Sequence, residues 1–156
     1  MTQLFRELFP PGGCILDLMS NAVSHLPPEV SYERVVGLGL NLEELAANPR
    51  LDAFVVQNLN VEPRLPFDSG EFDGAGICQS IDFLAQPIEV LREVGRVLQP
   101  GAPLAVAYAA QPARAEYVTR CLQAAGNWRD IRLVDCSVRP LGADPLFAII
   151  ASASVL

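Results

Sequence analysis

The chain has 156 residues, of which 51% are hydrophobic, and a formal net charge of −7. A chain of this length can bury roughly 68–70% of its unfolded surface, so we expect one domain over residues 1–156. The acidic charge, with no Lys-rich or Arg-rich block, excludes a nucleic-acid backbone as ligand. No apolar run has the length of a membrane span and no signal-peptide pattern opens the chain, so we expect a cytoplasmic protein that does not contact a membrane.

The cysteines give no sign of a metal or redox site. The chain has four, Cys14, Cys78, Cys121 and Cys136, which are widely spaced and include no C-x-x-C pair. Thiols in apolar segments behave as small hydrophobic groups. No cluster of His, Cys and carboxylate residues has metal-ligand spacing, so we predict no metal.

Breaker residues divide the chain into strand and helix patterns in alternation, which favours a doubly wound parallel sheet. The predicted strands are residues 14–19, 34–40, 52–57, 72–78, 104–108, 131–138 and 146–152. The predicted helices are a single turn at 21–26, a short helix that begins at Asn41 and ends before Asn48, and helices at 87–98 and 115–125. The Asn41 side chain is placed to cap the N–H of Glu44. The short link before the last strand makes the last two strands antiparallel neighbours.

The segment from Leu65 to Gly101 carries the clearest pattern in the chain. Its apolar run from Phe72 to Cys78 has the length and composition of a strand that is buried on both faces. Pro87 suits a first helical turn, and Pro100-Gly101 ends the helix. Apolar residues recur between them at helical spacing, at Ile88, Leu91, Val94 and Leu98.

This segment resembles the seven-stranded class of S-adenosylmethionine (SAM)-dependent methyltransferases, especially their small-molecule branch. The matching residues are Leu65-Pro66-Phe67, Phe72-Asp73 and Glu93-Val94-Gly95-Arg96-Val97-Leu98-Gln99-Pro100-Gly101, with Ala102 in place of a second glycine. The resemblance implies an α/β fold with a doubly wound, mostly parallel seven-stranded sheet, helices on both faces and an antiparallel last strand. It also implies SAM as cofactor and a small molecule as methyl acceptor.

Ligands of such sheets bind at the carboxyl ends of the strands, where the family pattern is altered here. After the first strand the family has an acidic residue and a glycine-rich loop, and Asp17 matches the acid. The glycine positions hold Met19, Asn21 and Val23 instead, whose Cβ atoms restrict positive φ angles. Ser20 is a candidate to bind the cofactor carboxylate, and turn formation explains it equally well.

The other cofactor positions follow the next three strands. Gly39 stands where the family has a ribose-binding acid, and Glu43 is the nearby acid that would replace it. Asn58 stands where the family has an Asp that accepts from the adenine amino group, and an amide oxygen accepts that bond more weakly. Gln79 follows the fourth strand, where the family's pocket lies between cofactor and substrate.

Two residues are candidates for acid–base chemistry. His25, the one histidine of the chain, would act as a general base near the methyl donor. The alternative is a loop histidine that hydrogen-bonds a helix end or faces water. Asp82 would orient or deprotonate the acceptor, and the alternative is a solvated loop acid.

Two functions stay open from the sequence. The first is methyl transfer from SAM to a small molecule, in which alignment of the reactants carries most of the rate and no base is required. The second is a non-catalytic methyltransferase-like binding or regulatory module that has lost tight cofactor binding, which the missing glycines and ribose acid favour. No inserted lid is visible that would close over a substrate, which leaves a protein partner or a homo-oligomer open.

Overall fold

The computed structural model describes residues 1–109, 112–137 and 145–154. Within them, seven strands form one sheet: β1 (Cys14–Leu18), β2 (Arg34–Gly39), β3 (Ala53–Val56), β4 (Gly74–Cys78), β5 (Pro103–Ala109), β6 (Trp128–Asp135) and β7 (Leu146–Ala153). The helices are α1 (Thr2–Leu8), α2 (Leu42–Ala47), α3 (Pro87–Val97) and α4 (Pro112–Ala125), and a 3₁₀ turn spans Ile81–Phe83.

The strand order is β3-β2-β1-β4-β5-β7-β6. Strands β1 to β5 are parallel to one another, and β7 runs antiparallel between β5 and β6. The predicted fold class is therefore confirmed, including the antiparallel last strand. The strand order reverses between β1 and β4, and this is where open α/β sheets bind their ligands.

Helices α3 and α4 cover one face of the sheet. The apolar residues of α3 face the strands as its spacing predicts, and Val90, Leu91 and Val94 are fully buried in the same core as Leu104 and Val106 of β5. Trp128 begins β6, three residues earlier than the predicted start of this strand, and its Nε1 donates to Leu91 O at 3.2 Å.

Helices α1 and α2 lie on the other face. Helix α1 was not predicted from the sequence; it has seven residues and no side-chain cap. Its Phe5 stacks on Phe9 with ring centroids 4.8 Å apart, and both rings pack on β4. A Cβ at Gly74 would lie 2.7 Å from the Phe9 ring, so the small residues of β4 make room for this helix.

The predicted helical turn at residues 21–26 is absent, and no helix or strand is found between β1 and β2. Side chains bind the amides that a helix would use: Asn21 Oδ1 accepts from the N–H of Val23 at 2.8 Å, and Ser24 Oγ from that of Leu26 at 3.2 Å. Short polar side chains compete with helix formation in this way. The predicted end of β6 at residue 138 and most of the link before β7 lie outside the described residues.

The cysteines of the described residues are all free thiols. Burial, and to a lesser extent the nearby Asp17, raises the pKa of Cys78 to about 12, so this thiol stays protonated at neutral pH. No group of His, Cys, Asp and Glu side chains that could hold a metal ion occurs in the described part of the chain. Nor does any helix there have the length and apolar character that crossing a membrane requires.

Candidate functional site

A pocket of about 250 Å³ opens at the carboxyl ends of β1 to β4. Each of these strands contributes to it through the residues that follow the strand. The described residues that line it are Met19, Ser20, Asn21, Leu38, Gly39, Leu40, Asn41, Glu44, Gln57, Asn58, Leu59, Asn60, Ser80, Phe83 and Leu84. Of the predicted cofactor residues, the structure thus brings together Ser20, Gly39 and Asn58.

The loop after β1 forms one wall of the pocket and is bonded to its own scaffold. Met19 keeps a left-handed backbone, with φ 58°, at a position where the family has glycine. The N–H of Ser20 donates to Leu38 O at 2.9 Å, and Ser20 Oγ donates to Asp17 Oδ2 at 2.6 Å. Asn48 Nδ2 donates to Asn21 O at 2.7 Å. The loop is therefore held on β2 and on the end of α2.

Asp17 lies behind this wall. It lines a separate small cavity with Phe5, Phe9, His25 and other residues near α1, and is not among the residues that line the pocket. Burial raises the pKa of Asp17 to about 6, and the hydrogen bond from Ser20 opposes this rise. Desolvation lowers the pKa of the half-buried His25, so its neutral form is favoured.

The end of β2 explains why the ribose-binding acid is missing. A Cβ at Gly39 would lie 2.5 Å from Ser20 O, so the folded-back loop leaves no room for a side chain there. Asn41 caps α2 as predicted, with Oδ1 accepting from the N–H of Glu43 at 2.9 Å and of Glu44 at 3.2 Å. Glu44, rather than the predicted Glu43, lines the pocket.

The loop after β3 forms the opposite wall, which is tied to the loop after β4. Asn58 Oδ1 accepts from the N–H of Asn60 at 3.0 Å. Asn60 in turn donates to Phe83 O and accepts from the N–H of Ala85, both at 2.8 Å. These bonds fix the positions of Leu59 and Leu84, the buried apolar residues of this wall.

The residues after β4 divide between the pocket and its surroundings. Gln79 has a left-handed backbone, with φ 55°, and its N–H donates to Ala107 O at 2.8 Å. It does not line the pocket, whereas its neighbour Ser80 does. Asp82 lies on the 3₁₀ turn beside Phe83, and its carboxylate pairs with Arg114 at 2.8 Å. Its predicted role on the acceptor stays a prediction, as does that of His25.

Sequence reasoning missed several lining residues, mainly Glu44, Asn60, Phe83 and Leu84. Asn60 and Glu44 each lie within a few residues of a predicted position, so their place after a strand was the available signal. Phe83 and Leu84 line the pocket because the Asn60 bonds draw the 3₁₀ turn toward the β3 loop. No local pattern in the sequence encodes that contact.

The residues present fit the nucleoside half of SAM better than its amino-acid half. The wall of Asn58, Leu59 and Leu84 offers amide and apolar contacts for an adenine ring, and Glu44 offers a carboxylate for ribose hydroxyls. On the other side, Cβ atoms of Met19 and Asn21 fill the positions of the family's glycines. The Ser20 N–H and Oγ are already bonded within the protein.

Comparisons with solved structures show the same fold. The [4+2]-cyclase SpnF superposes with a TM-score of 0.79 at 17% identity, covering 99% of this chain and 80% of that chain. A putative methyltransferase in complex with the Haloferax volcanii Trm112 activator gives a TM-score of 0.78 at 15% identity, covering 99% of this chain and 88% of that chain. A SAM-dependent methyltransferase from Aquifex aeolicus gives a TM-score of 0.75 at 17% identity, covering 97% of this chain and 88% of that chain. At these identities the likeness concerns the fold alone.

By sequence, no curated protein matches the chain. A family model does match, and it covers the carboxyl end of β1 and the whole of β2, β3 and β4. The model described as a methyltransferase domain matches residues 17–106, which is more than half of the chain and extends from Asp17 to Val106 in β5. The chain therefore belongs to the methyltransferase domain family.

Proposed function

We propose that this chain is a SAM-dependent methyltransferase that acts on a small molecule. The observation that carries the proposal is the pocket at the carboxyl ends of β1 to β4, with Asn58 at the adenine position of the family pattern. The acidic surface supports a small acceptor over a nucleic acid. Bound SAM would supply an electrophilic methyl group for transfer to an O, N, C or S atom.

The chain's own residues would act by binding and alignment. Asn58 Oδ1 would accept from the adenine amino group, and Glu44 would accept from the ribose hydroxyls. Phe83, which is 73% exposed at the pocket, would contact the acceptor and exclude water from it. Asp82, fixed by Arg114, would orient the acceptor. Alignment of this kind can supply a large part of a rate enhancement without a dedicated base.

Isothermal titration with S-adenosylhomocysteine (SAH), the demethylated product, tests the proposal. We expect saturable binding at micromolar to millimolar SAH and its loss in Asn58→Leu, which removes the amide oxygen. Glu116→Gln, an exposed change on α4 far along the chain from the pocket loops, serves as the matched control and should bind as the unmodified chain does. An absence of heat at millimolar SAH would reject the enzyme.

A second candidate is a non-catalytic module with the methyltransferase fold. The internally bonded loop at Ser20 favours it, since the groups that would cradle the amino-acid end of SAM are occupied. Incubation with methyl-labelled SAM and a panel of small nucleophiles separates the two candidates. Label transfer to any acceptor selects the enzyme, and an absence of transfer together with loss of tight SAH binding selects the module.

A protein cover over the pocket belongs to the same proposal. Leu40 and Phe83 are large apolar side chains at the pocket, 65% and 73% exposed. In the Haloferax volcanii complex, an activator protein accompanies the methyltransferase. We propose that a partner protein, or a second copy of this chain, covers these side chains. Sedimentation of the purified chain distinguishes them, because only self-association raises its mass.

A further inference from the structure

The pocket has two unlike ends. At one end, four polar groups of the loop after β1 are already bonded within the protein. The N–H of Ser20 is bonded to Leu38 O and its Oγ to Asp17, while Asn21 O accepts from Asn48 and Asn21 Oδ1 from the N–H of Val23. A ligand carboxylate that bound the Ser20 N–H would have to break the bond from this N–H to Leu38 O, and leaving a polar group unpaired is costly.

The charge of the pocket lining also disfavours binding of the amino-acid tail. Glu44 is the one ionisable side chain among the described residues that line the pocket, so a carboxylate there would meet a like charge and no cation. A ligand ammonium group would gain nothing from Asp17, which lies behind the loop in the cavity of Phe5 and His25. The carboxylate of the SAM or SAH tail therefore finds no cation in the lining, and Glu44, the one anion there, serves the ribose hydroxyls in the proposed binding mode.

The other end is suited to an uncharged ring with hydroxyl groups. Asn58 offers an amide, Leu59 and Leu84 offer buried apolar surface, and the bonds of Asn60 hold this wall in place before a ligand arrives. A fixed wall lowers the entropic cost of binding. The volume of about 250 Å³ is also below the roughly 300 Å³ at which pockets for drug-sized ligands begin.

We infer that this pocket recognises only the adenine nucleoside part of its ligand and leaves any amino-acid tail on C5′ in solvent. The inference rests on the proposed function, since it concerns the same pocket, and it narrows the ligand class. The affinity of SAH then comes from its nucleoside alone. Adenosine and 5′-methylthioadenosine, which lack the tail, bind as well as SAH does and compete with it.

Titration calorimetry of the full chain with adenosine, 5′-methylthioadenosine and SAH tests this inference. We expect the three dissociation constants to agree within tenfold. SAH binding more than tenfold tighter than 5′-methylthioadenosine would overturn the inference and leave the proposed function intact. Failure of all three ligands to bind at millimolar concentration would overturn both.

Variants at Asn58 provide a second readout. Asn58→Asp keeps the acceptor of the Asn60 N–H and adds a negative charge. It should therefore raise the affinity for adenosine and for SAH by the same factor, up to about tenfold. Asn58→Leu should weaken both ligands by the same factor, with thermal melting to verify folding and Glu116→Gln as control. A variant that changes the affinity for SAH alone would show that the tail is bound, and would overturn the inference.

Discussion

The segment from Leu65 to Gly101 and the loop from Met19 to Pro28 belong to the same fold, but different interactions determine their structures. In the first, apolar spacing and breakers decide the structure: Leu91 and Val94 face the core, and α3 begins at Pro87. In the second, side-chain oxygens bind backbone amides and replace a helix with a bonded loop. The comparison teaches that burial preserves the scaffold, while local hydrogen bonds have reshaped the ligand site.

The scaffold segment should respond most strongly to loss of packing. Leu91→Ala removes a fully buried side chain from α3 and should lower the free energy of unfolding by about 2–5 kcal/mol. Val61→Ala, at a side chain that is 79% exposed, should change it by less than about 0.5 kcal/mol. Urea denaturation measures both values. Similar values for the two variants would contradict the assignment of the core.

The stability of the chain should depend on pH through Asp17, which lies behind the loop after β1. The pKa of Asp17 is raised to about 6 in the folded chain, so its charged form opposes folding. The associated stability is present below the unfolded pKa of about 4 and is lost as the pH rises through 6. The free energy of unfolding of Asp17→Asn should therefore exceed that of the unmodified chain by about 2–3 kcal/mol at pH 8, whereas the two should differ little at pH 4. Parallel pH profiles of unfolding would refute this.

Restoring the family's acid at the end of β2 should destabilise the fold. Gly39→Asp places a Cβ 2.5 Å from Ser20 O, so the loop must move, at a cost of about 1–3 kcal/mol. Thermal unfolding measures the loss, and Gly39→Ala separates the steric part from the charge. A gain in stability in both variants would show that the loop does not rest on β2.

The smallest effect is expected at the cap of α2. Asn41→Ala removes the acceptor of the Glu43 and Glu44 amides and should cost about 1 kcal/mol, whereas Asn41→Gly should cost only a few tenths. Denaturant titration resolves the difference. If Asn41→Ala had no effect, the cap would contribute nothing to this region.

The sequence was informative where structure depends on periodicity and breakers. It predicted the seven strands, the cap at Asn41 and the antiparallel β7, because these follow from local patterns and a short link. It failed at α1, which is short and depends on contacts of Phe5 and Phe9 with distant β4.

The site was predicted less well than the fold. Ser20, Gly39 and Asn58 were placed in the pocket because each ends or follows a strand, and the carboxyl ends of parallel strands meet at one edge. Asp17 follows the family pattern equally well, yet its side chain points to the cavity behind the loop. Which way a loop folds back depends on bonds such as that from Asn48 to Asn21, which join residues far apart in the chain.

A crystal structure of the chain with SAH tests the central claim most directly. The account predicts an adenine ring between Asn58 and Leu84, a ribose near Glu44, and an amino-acid tail that touches no residue of the loop after β1. A tail whose carboxylate binds the Ser20 N–H, or whose ammonium group binds Asp17, would contradict it.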